Sequence, residues 1–371
     1  MVKNILLGFS IITLVLLTAC SKDPERKLRV YTPVSVNIDM GVTPMENNLI
    51  QSRAEEIMEP SLENPIRSLA IFQFDEEGQH DRNLHYHYLN FVDDDTPTGV
   101  LTTTLKDLTF DYLNGTTTTI CVVANVSPEE VSEFYEDCRI ESGELGRIEL
   151  FQLKEWQLTF DYVEQEEGGK DTQGHIKEMY MFGYYEGKLK EGSNDLKIIL
   201  GRLVARLDIT LETVDESIQE KVAYHLDNIV TKAYVFPGDK GGEVDDESQR
   251  FTTVFEAGTL ASAGTKVTRY FYVAGHSADK AEEATTLHLY YGNNVSSSDL
   301  TGGIKIPLCN TPPSETANPN YWLNRNSIYS FVIRIKNSKV SGISRSTEPV
   351  QKWYLRPDGV QVIDIELAGS K

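Results

Sequence analysis

Almost every apolar segment of this chain has the length of a β-strand and ends at turn residues. Around residues 28–39, Val34, Val36 and Ile38 alternate with polar side chains, and the run Lys197–Glu212 alternates in the same way. Successive side chains of a strand point to opposite faces, so a period of two indicates half-buried strands. Regular strand spacing predicts an all-β fold of two β-sandwich domains, transthyretin-like or Greek-key, with few short helices.

The first alternating segment contains a proline. Pro33 cannot donate a ladder hydrogen bond, so this strand is expected at a sheet edge or with one bond unmade. The apolar residues 148–153 indicate another strand. Ser127, followed three residues later by Glu130, predicts a capped helix that ends near Tyr135.

The boundary between the two domains is predicted in the loop Gly187–Asn194. It separates an N-terminal domain, residues 20–195, from a C-terminal domain, residues 196–371. Hydrophobic residues make up 40% of the chain, which is enough to form sizeable cores. The 35 basic and 56 acidic residues give a net charge of −21, and no basic stripe is visible. Nucleic acid and adhesion to anionic lipid through a polybasic face are therefore not expected.

The start of the chain has the features of a secretory signal. Lys3 precedes the apolar run Ile5–Leu17, whose 13 residues are fewer than the roughly 20 that span a bilayer. The sequence Leu17-Thr18-Ala19-Cys20 resembles a bacterial lipobox, in which signal peptidase II cuts before the cysteine. This resemblance implies a signal peptide at residues 1–19 and a lipid, palmitate included, on Cys20.

The residues that follow the lipobox are Ser21 to Glu25. A Ser-Lys-acidic stretch here resembles the signal that sends Bacteroidales lipoproteins to the outer face of the outer membrane. An ordinary charged tether is the alternative. The implied location is a cell-surface lipoprotein of the outer membrane, and the lipid is its one expected membrane attachment.

Few residues are arranged for metal binding or catalysis. His85 and His87 form the one close histidine pair, and three aspartates begin at Asp93. Neither group has the ligand spacing of a known metal motif, so no metal site is predicted, although a weak calcium site near Asp93 stays open. No nucleophile, phosphate-loop or dinucleotide motif is present, so we predict no catalytic residues, no cofactor and no enzyme.

Three cysteines follow Cys20, namely Cys121, Cys138 and Cys309. None forms a Cys-x-x-Cys pair, which makes a zinc site through them unexpected. Cys121 lies in a continuous apolar strand and is interpreted as a core residue. A disulfide between Cys121 and Cys138 stays open.

Five pieces in order resemble the fimbrillin family, the lipoprotein-derived subunits of Bacteroidales type V pili. They are Ser68–Asp75, Thr119–Val126, Leu200–Leu211, Leu323–Tyr329 and a closing strand after Trp353. The residues that carry the resemblance are interpreted as marks of the fold. The resemblance implies a structural subunit of a pilus (fimbrium) for cell adhesion. Its implied partners are other pilus subunits, identical or paralogous, and host or bacterial surface ligands.

The same resemblance implies a route of assembly. In the family an Arg-specific protease removes the first strand, here about residues 28–39, and exposes a groove. The candidate cleavage bond is Arg53–Ala54, in a polar stretch without periodicity, and Arg67 is the rival. A neighbouring subunit's C-terminal strand then fills the groove by donor strand exchange.

The candidate donor strand is residues 360–368, close to the end of the chain. Its named residues are Val360, Val362, Ile363, Ile365 and Leu367. Such a strand would bind through main-chain hydrogen bonds, while its alternate apolar side chains fill pockets.

Other functions stay open. Within the family, the chain is alternatively a lipid-retaining pilus anchor or a tip adhesin. A function of another class is a surface glycan-binding lipoprotein. Such a protein needs a platform of exposed aromatics, whereas Trp156, Trp322 and Trp353 are spread along the chain.

Overall fold

A computed structural model describes most of the chain. The described residues are 31–43, 45–47, 65–76, 83–92, 100, 102–112, 115–142, 148–162, 176–214, 221–236, 251–255, 259–260, 262, 264–275, 277–292, 303–309, 321–337, 350–355 and 360–367. The predicted signal peptide, Cys20, the bond Arg53–Ala54 and Asp93 lie outside these ranges.

The described part of the chain contains nineteen strands and two helices, which confirms the all-β prediction. The strands of the first half are β1 (Thr32–Val42), β2 (Glu46–Asn47), β3 (Ser68–Phe74), β4 (Asn83–Asn90), β5 (Thr102–Tyr112), β6 (Thr118–Ala124), β7 (Gln157–Thr159), β8 (Met181–Gly187) and β9 (Ser193–Arg202). Those of the second half are β10 (Val204–Thr213), β11 (Lys221–Asp227), β12 (Lys232–Tyr234), β13 (Phe251–Phe255), β14 (Lys266–Ala274), β15 (Thr286–Gly292), β16 (Ile304–Pro307), β17 (Ser327–Asn337), β18 (Val350–Leu355) and β19 (Gln361–Leu367). The helices are α1 (Pro128–Ser142) and α2 (Leu150–Glu155). Neither is long and apolar enough to cross a membrane.

The first half forms one seven-stranded sheet in the order β4-β3-β6-β8-β9-β1-β5. Side chains of β3 and β4 reach across to the last strand. The Gln73 side chain donates to the carbonyl of Asp111 at 2.6 Å and accepts from its N–H at 2.9 Å. His87 Nε2 lies 2.9 Å from the carbonyl of Thr109. Because Asp111 and Thr109 lie on β5, the sheet must curl until its two ends face each other.

The second half forms two sheets that face each other. One has the order β14-β10-β17-β19-β18, with β2 also paired to β17, and the other has the order β13-β11-β15-β16. Tyr224 on β11 and Phe271 on β14 are both buried, and their rings meet edge to face at 5.9 Å. Buried aromatic side chains from the two inner faces therefore form the core of a sandwich.

The chain passes from the first sheet to the second at one residue. The predicted single strand Lys197–Glu212 is divided there, because β9 ends at Arg202 and β10 begins at Val204. Leu203 donates its N–H to the carbonyl of Tyr180, and its own carbonyl accepts from Gly275. The predicted domain boundary between residues 195 and 196 remains a proposal. The chain changes from one sheet to the other after the end of β9, at Leu203.

Contacts between the halves include main-chain pairing, a buried tyrosine and further side-chain contacts, such as that of the Phe182 ring with the Phe236 ring. β7 pairs with β12 across the two halves. The Tyr162 hydroxyl donates to the carbonyl of Val230 at 2.6 Å and accepts from the N–H of Ala274 at 3.1 Å. Burial raises the pKa of this hydroxyl, which keeps its proton available as a donor.

Two predicted elements differ from those observed. The strand that contains Pro33 does not lie at an edge, because β1 pairs with both β5 and β9. The ladder to β9 begins at Ser35, so Pro33 sits where the strand has a partner on one side alone. Residues 148–153 were predicted as a strand, but helix α2 begins at Leu150. Glu149 and Gln152 form a capping box there, and such short apolar runs fit either structure.

Candidate assembly site

The first strand, β1, is hydrogen-bonded to a neighbouring strand on each side. We name the space that it occupies between β5 and β9 the β1 slot. β1 runs antiparallel to β5 and parallel to β9. One face of the strand is buried in the core, through Val34, Val36, Ile38 and Met40. Each such side chain contributes roughly 1.5–3 kcal/mol when fully buried. Without β1, the sheet would expose two unpaired strand edges and a row of apolar pockets.

A bulge sets the register of β1 in its slot. The pairing with β5 shifts between Val36 and Ile38, and Asp107 on β5 has a φ of 56°. The Asn37 side chain bridges this irregularity: its Nδ2 donates to Asp195 at 2.8 Å, and its Oδ1 accepts from the N–H of Asp107 at 3.1 Å. These polar contacts lie on the exposed face of the strand.

The candidate donor strand, β19, is also paired on both sides. We name the space that it occupies between β17 and β18 the β19 slot. β19 runs parallel to β17 and antiparallel to β18 of its own chain. Val362, Ile363 and Ile365 are buried, whereas Val360 is half-buried just before the strand and Leu367 ends it. As a donor, this strand would have to leave its own sheet.

Polar side chains fix the start and the middle of β19. Gln361 is fully buried, and its Nε2 donates to the carbonyl of Cys309 at 2.7 Å. In the middle of the strand, the carboxylate of Asp364 lies 3.3 Å from Arg334 and 3.0 Å from Lys336 of β17. The strand is thus held by its core contacts and by charge-assisted bonds at the partly exposed face.

The rival cleavage residue has a fixed backbone. Arg67 has an exposed side chain, but its N–H donates to Asn125 Oδ1 at 2.7 Å and its carbonyl accepts from Phe91 at 2.7 Å. A protease must bind its substrate as a free, extended segment. The local hydrogen bonds therefore favour a cleavage residue other than Arg67.

Two asparagines from the family-like motifs have structural roles, as predicted. Asn125 ends β6 with a φ of 66°, and its side chain donates to the carbonyls of Pro65 and Met179. Asn326 precedes β17 with a φ of 54°, and its Oδ1 accepts from Arg202. Asparagine is among the residues that tolerate this left-handed conformation. Both are fold determinants that stop or start a strand.

The cysteines are buried and unbridged. Cys121, Cys138 and Cys309 are all free thiols, so the disulfide left open between the first two is not formed. Cys121 is fully buried, as predicted for a core residue, and burial raises its pKa. Burial likewise raises the pKa of Cys309 to about 12. Thiols with raised pKa values are poor nucleophiles at neutral pH.

The structure does not place the tryptophans on a common exposed platform. Trp156 is 8% exposed and stacks on Phe134, with ring centroids 4.3 Å apart. Trp322 is half-buried, and the side chain of Trp353 lies outside the described residues. The tryptophans therefore give no support to the glycan-binding alternative.

Histidines give a different result from the one the sequence suggested. Of the pair considered there, His87 bonds the backbone of Thr109, and the side chain of His85 is outside the described residues. Three other residues, His225, Asp227 and His288, lie close enough together to share a metal ion. The sequence does not predict this group, because His288 lies on a different strand from His225 and Asp227. The register in which two strands pair cannot be read from the sequence.

No protein family and no curated protein matches the sequence. The solved structures that it resembles include fimbrial proteins of Bacteroidales, the class that the sequence motifs also resemble. One is the tip fimbrial protein Mfa3 from Porphyromonas gingivalis with C-terminal truncation. Its identity is 13% and its TM-score 0.46, over 82% of this chain and 94% of that chain.

Two further structures have the same kind of description. A fimbrial assembly protein from Parabacteroides distasonis has 12% identity and a TM-score of 0.43, over 91% of this chain and 100% of its own. The fimbrial anchor protein Mfa2 from Porphyromonas gingivalis has 11% identity and a TM-score of 0.33, over 70% of this chain and 78% of its own. With all three TM-scores below 0.5, these likenesses carry no conclusion about function.

Proposed function

We propose that the chain is a structural, non-enzymatic subunit of a type V pilus that assembles by strand exchange. The observation that carries the proposal is the β1 slot. A strand close to the start of the mature chain lies between two partners and contributes a complete row of core side chains. Its removal would leave a groove that only another strand of similar pattern can fill.

The C-terminal strand has the pattern that this groove requires. β1 buries alternate residues on one face, from Val34 to Met40. In β19, the apolar residues Ile363, Ile365 and Leu367 also alternate along the sequence, so they could fill one such row of pockets. β19 also already runs parallel to one neighbour and antiparallel to the other, as β1 does. A copy of β19 from another subunit could therefore enter the β1 slot in the orientation of the strand that it replaces.

The proposed order of events begins with proteolysis. An Arg-specific protease cuts after Arg53, which separates β1 and β2 from the rest of the chain. β1 then leaves, and the neighbour's β19 leaves its own sheet to restore the ladders with β5 and β9. Main-chain hydrogen bonds supply affinity, and the pockets below the strand select its side chains.

The membrane stage belongs to the same proposal. Before cleavage, the lipid on Cys20 holds the precursor on the outer membrane at the cell surface. Cleavage after Arg53 removes that lipid together with β1, which frees the subunit for the pilus. A pilus anchor would instead keep both the lipid and β1. A tip subunit would take part in strand exchange with one neighbour, through either its β1 slot or its donor strand.

Cys20→Ala is expected to abolish labelling with palmitate. Unchanged labelling would reject lipidation at Cys20.

Reversible locks test the exchange without deleting any core residue. Ser35 and Thr109 are directly opposed on β1 and β5, so cysteines at both positions can form a disulfide that keeps β1 in place. Lys352 and Asp364 are opposed on β18 and β19, and the same change there locks the donor. After cleavage, the oxidised form of either variant is expected to stay monomeric, and reduction is expected to restore polymers.

Size-exclusion chromatography and electron microscopy of the cleaved chains give the readout. Single-cysteine variants are the matched controls, since they carry the substitutions without the bridge. The buried native cysteines are poorly placed to interfere. Polymers from the chain with a locked β19 would exclude β19 as the donor. Polymers from the chain with a locked β1 would exclude the β1 slot as the acceptor, and cleavage-driven polymers from Arg53→Ala would move the cut to another residue.

A further inference from the structure

Two neighbouring strands of the second half bring three metal-ligating side chains to one face. His225 on β11 lies directly opposite His288 on β15. Asp227 follows His225 by two residues, so it lies on the same face of β11. The alternate residues of these strands, Leu226 and Leu287 among them, are fully buried in the hydrophobic core. The three polar residues therefore occupy the sheet face opposite to the core.

The distances between the three side chains fit a single ion. One ligand atom from each residue lies within 4.8 Å of the other two. His288 Nε2 is 3.7 Å from Asp227 Oδ2, and the two imidazole rings stack with centroids 4.6 Å apart. In a tetrahedral zinc site with bonds of about 2.0–2.1 Å, neighbouring ligand atoms are about 3.3 Å apart. Small side-chain rotations would close the remaining gap.

The surroundings favour an ion rather than solvent-exposed polar groups. His225 is 2% exposed and His288 is 9% exposed, so their ring nitrogens are largely removed from water. The ring of Tyr290 lies 5.3 Å from that of His225 and helps to enclose the site. Lys305 stands opposite His288 on β16 and is exposed. A metal ion bound between these three side chains would be largely shielded from competing water.

We propose that His225, Asp227 and His288 bind one divalent transition-metal ion of the zinc class. Two imidazole nitrogens and one carboxylate oxygen are ligands that zinc, cobalt(II) and nickel(II) accept, whereas calcium and magnesium prefer oxygen alone. A water molecule would take the fourth position. The ion would join β11 to β15 across their ladder and so stiffen the sheet that faces β10 and β17. This site is independent of the assembly proposal.

The test uses the mature chain with Cys20→Ser, titrated with cobalt(II) and then with zinc. We expect one equivalent of cobalt(II) to bind, with visible d–d bands and without the sulfur-to-cobalt charge transfer that a cysteine ligand produces. Zinc should displace the cobalt and raise the unfolding temperature, because a ligand of the native state stabilises it. Absence of stoichiometric binding by the folded chain would overturn the proposal, whatever any variant does.

Variants assign the ligands. His225→Asn, Asp227→Asn and His288→Asn are each expected to lower zinc affinity by more than the roughly 10–100-fold that loss of a supporting residue costs. His87→Asn is the matched control, a histidine on β4 that bonds the backbone of Thr109, and it should bind as the parent does. Circular dichroism checks that each variant is folded. A sulfur charge-transfer band, or an affinity equal to that of the parent in all three variants, would assign the ion to other residues and overturn the proposal.

Discussion

β1 and β19 hold equivalent places in the two halves of the molecule. Each is the second strand from one end of its sheet, with a parallel neighbour on the inner side and an antiparallel neighbour at the edge. β1 is the first strand in the described part of the chain, and β19 is the last. Their environments nevertheless differ. β1 buries one face and turns Pro33 and Asp39 to solvent, whereas β19 buries Val362 on one face and Ile363 on the other.

The polar contacts of the two strands differ as well. β1 is aligned by Asn37 on an exposed face, next to a bulge. β19 is aligned by Gln361, which is fully buried, and its ladders have no register shift. The β1 slot therefore selects a strand by one row of pockets. The β19 slot makes demands on both faces of its strand, so it fits its own strand more selectively.

Substitutions of the core residues in the two strands are expected to cause the greatest loss of stability. Ile38 and Ile365 are both fully buried. Ile38→Ala and Ile365→Ala are each expected to lower the free energy of unfolding by about 2–5 kcal/mol, through lost transfer energy and a residual cavity. Denaturant unfolding of the uncleaved chain measures both. Ile199→Ala is the control, because Ile199 is 51% exposed and should change stability by about 0.5 kcal/mol or less.

These two values decide whether the slots are comparable. A loss for Ile365→Ala that matches the exposed control would show that β19 is not held in its own sheet in solution. β19 would then be free to act as a donor before cleavage. A low value for Ile38→Ala would likewise remove the energetic basis of the β1 slot.

Substitutions of the polar residues that align the two strands are expected to cost less stability, and to differ from each other. Gln361→Met keeps the side-chain volume but leaves the carbonyl of Cys309 without this bond, so we expect a loss of about 1–3 kcal/mol. Asn37→Ala removes contacts on an exposed face, where water replaces them, and should cost about 0.5 kcal/mol. Equal losses in the same unfolding assay would contradict the difference drawn between the slots.

Much of this architecture could be predicted from the sequence, because period-two patterns survive wherever one face meets the core. β1, β3, β6, β10 and β19 all show such patterns or a continuous apolar run. β5 was missed for a physical reason. Its buried residues Leu105 and Phe110 are five apart, since the irregular backbone at Asp107 shifts the alternation by one residue. A bulge therefore hides a strand from any argument based on periodicity.

Residues on the second face of a buried strand were also hard to predict. Arg206 and Asp208 look like the solvent face of β10, yet they are 7% and 9% exposed. They form an ion pair at 2.7 Å, and Arg206 also lies over the ring of Tyr270. Only the packing of neighbouring strands decides that such a face is covered. The same holds for His225 and His288, whose contact depends on strand register.

The one-residue link at Leu203 has a mechanical consequence. β9, which lines the β1 slot, continues after this residue into β10, and β10 leads through β17 to β19. Tension applied to the strand in one slot would therefore reach the other along main chain and ladders, with no flexible loop between them. Pulling along a strand loads all of its hydrogen bonds in shear at once, whereas peeling breaks them one by one. In a filament under flow, each subunit would behave as a short, stiff element that resists stretching.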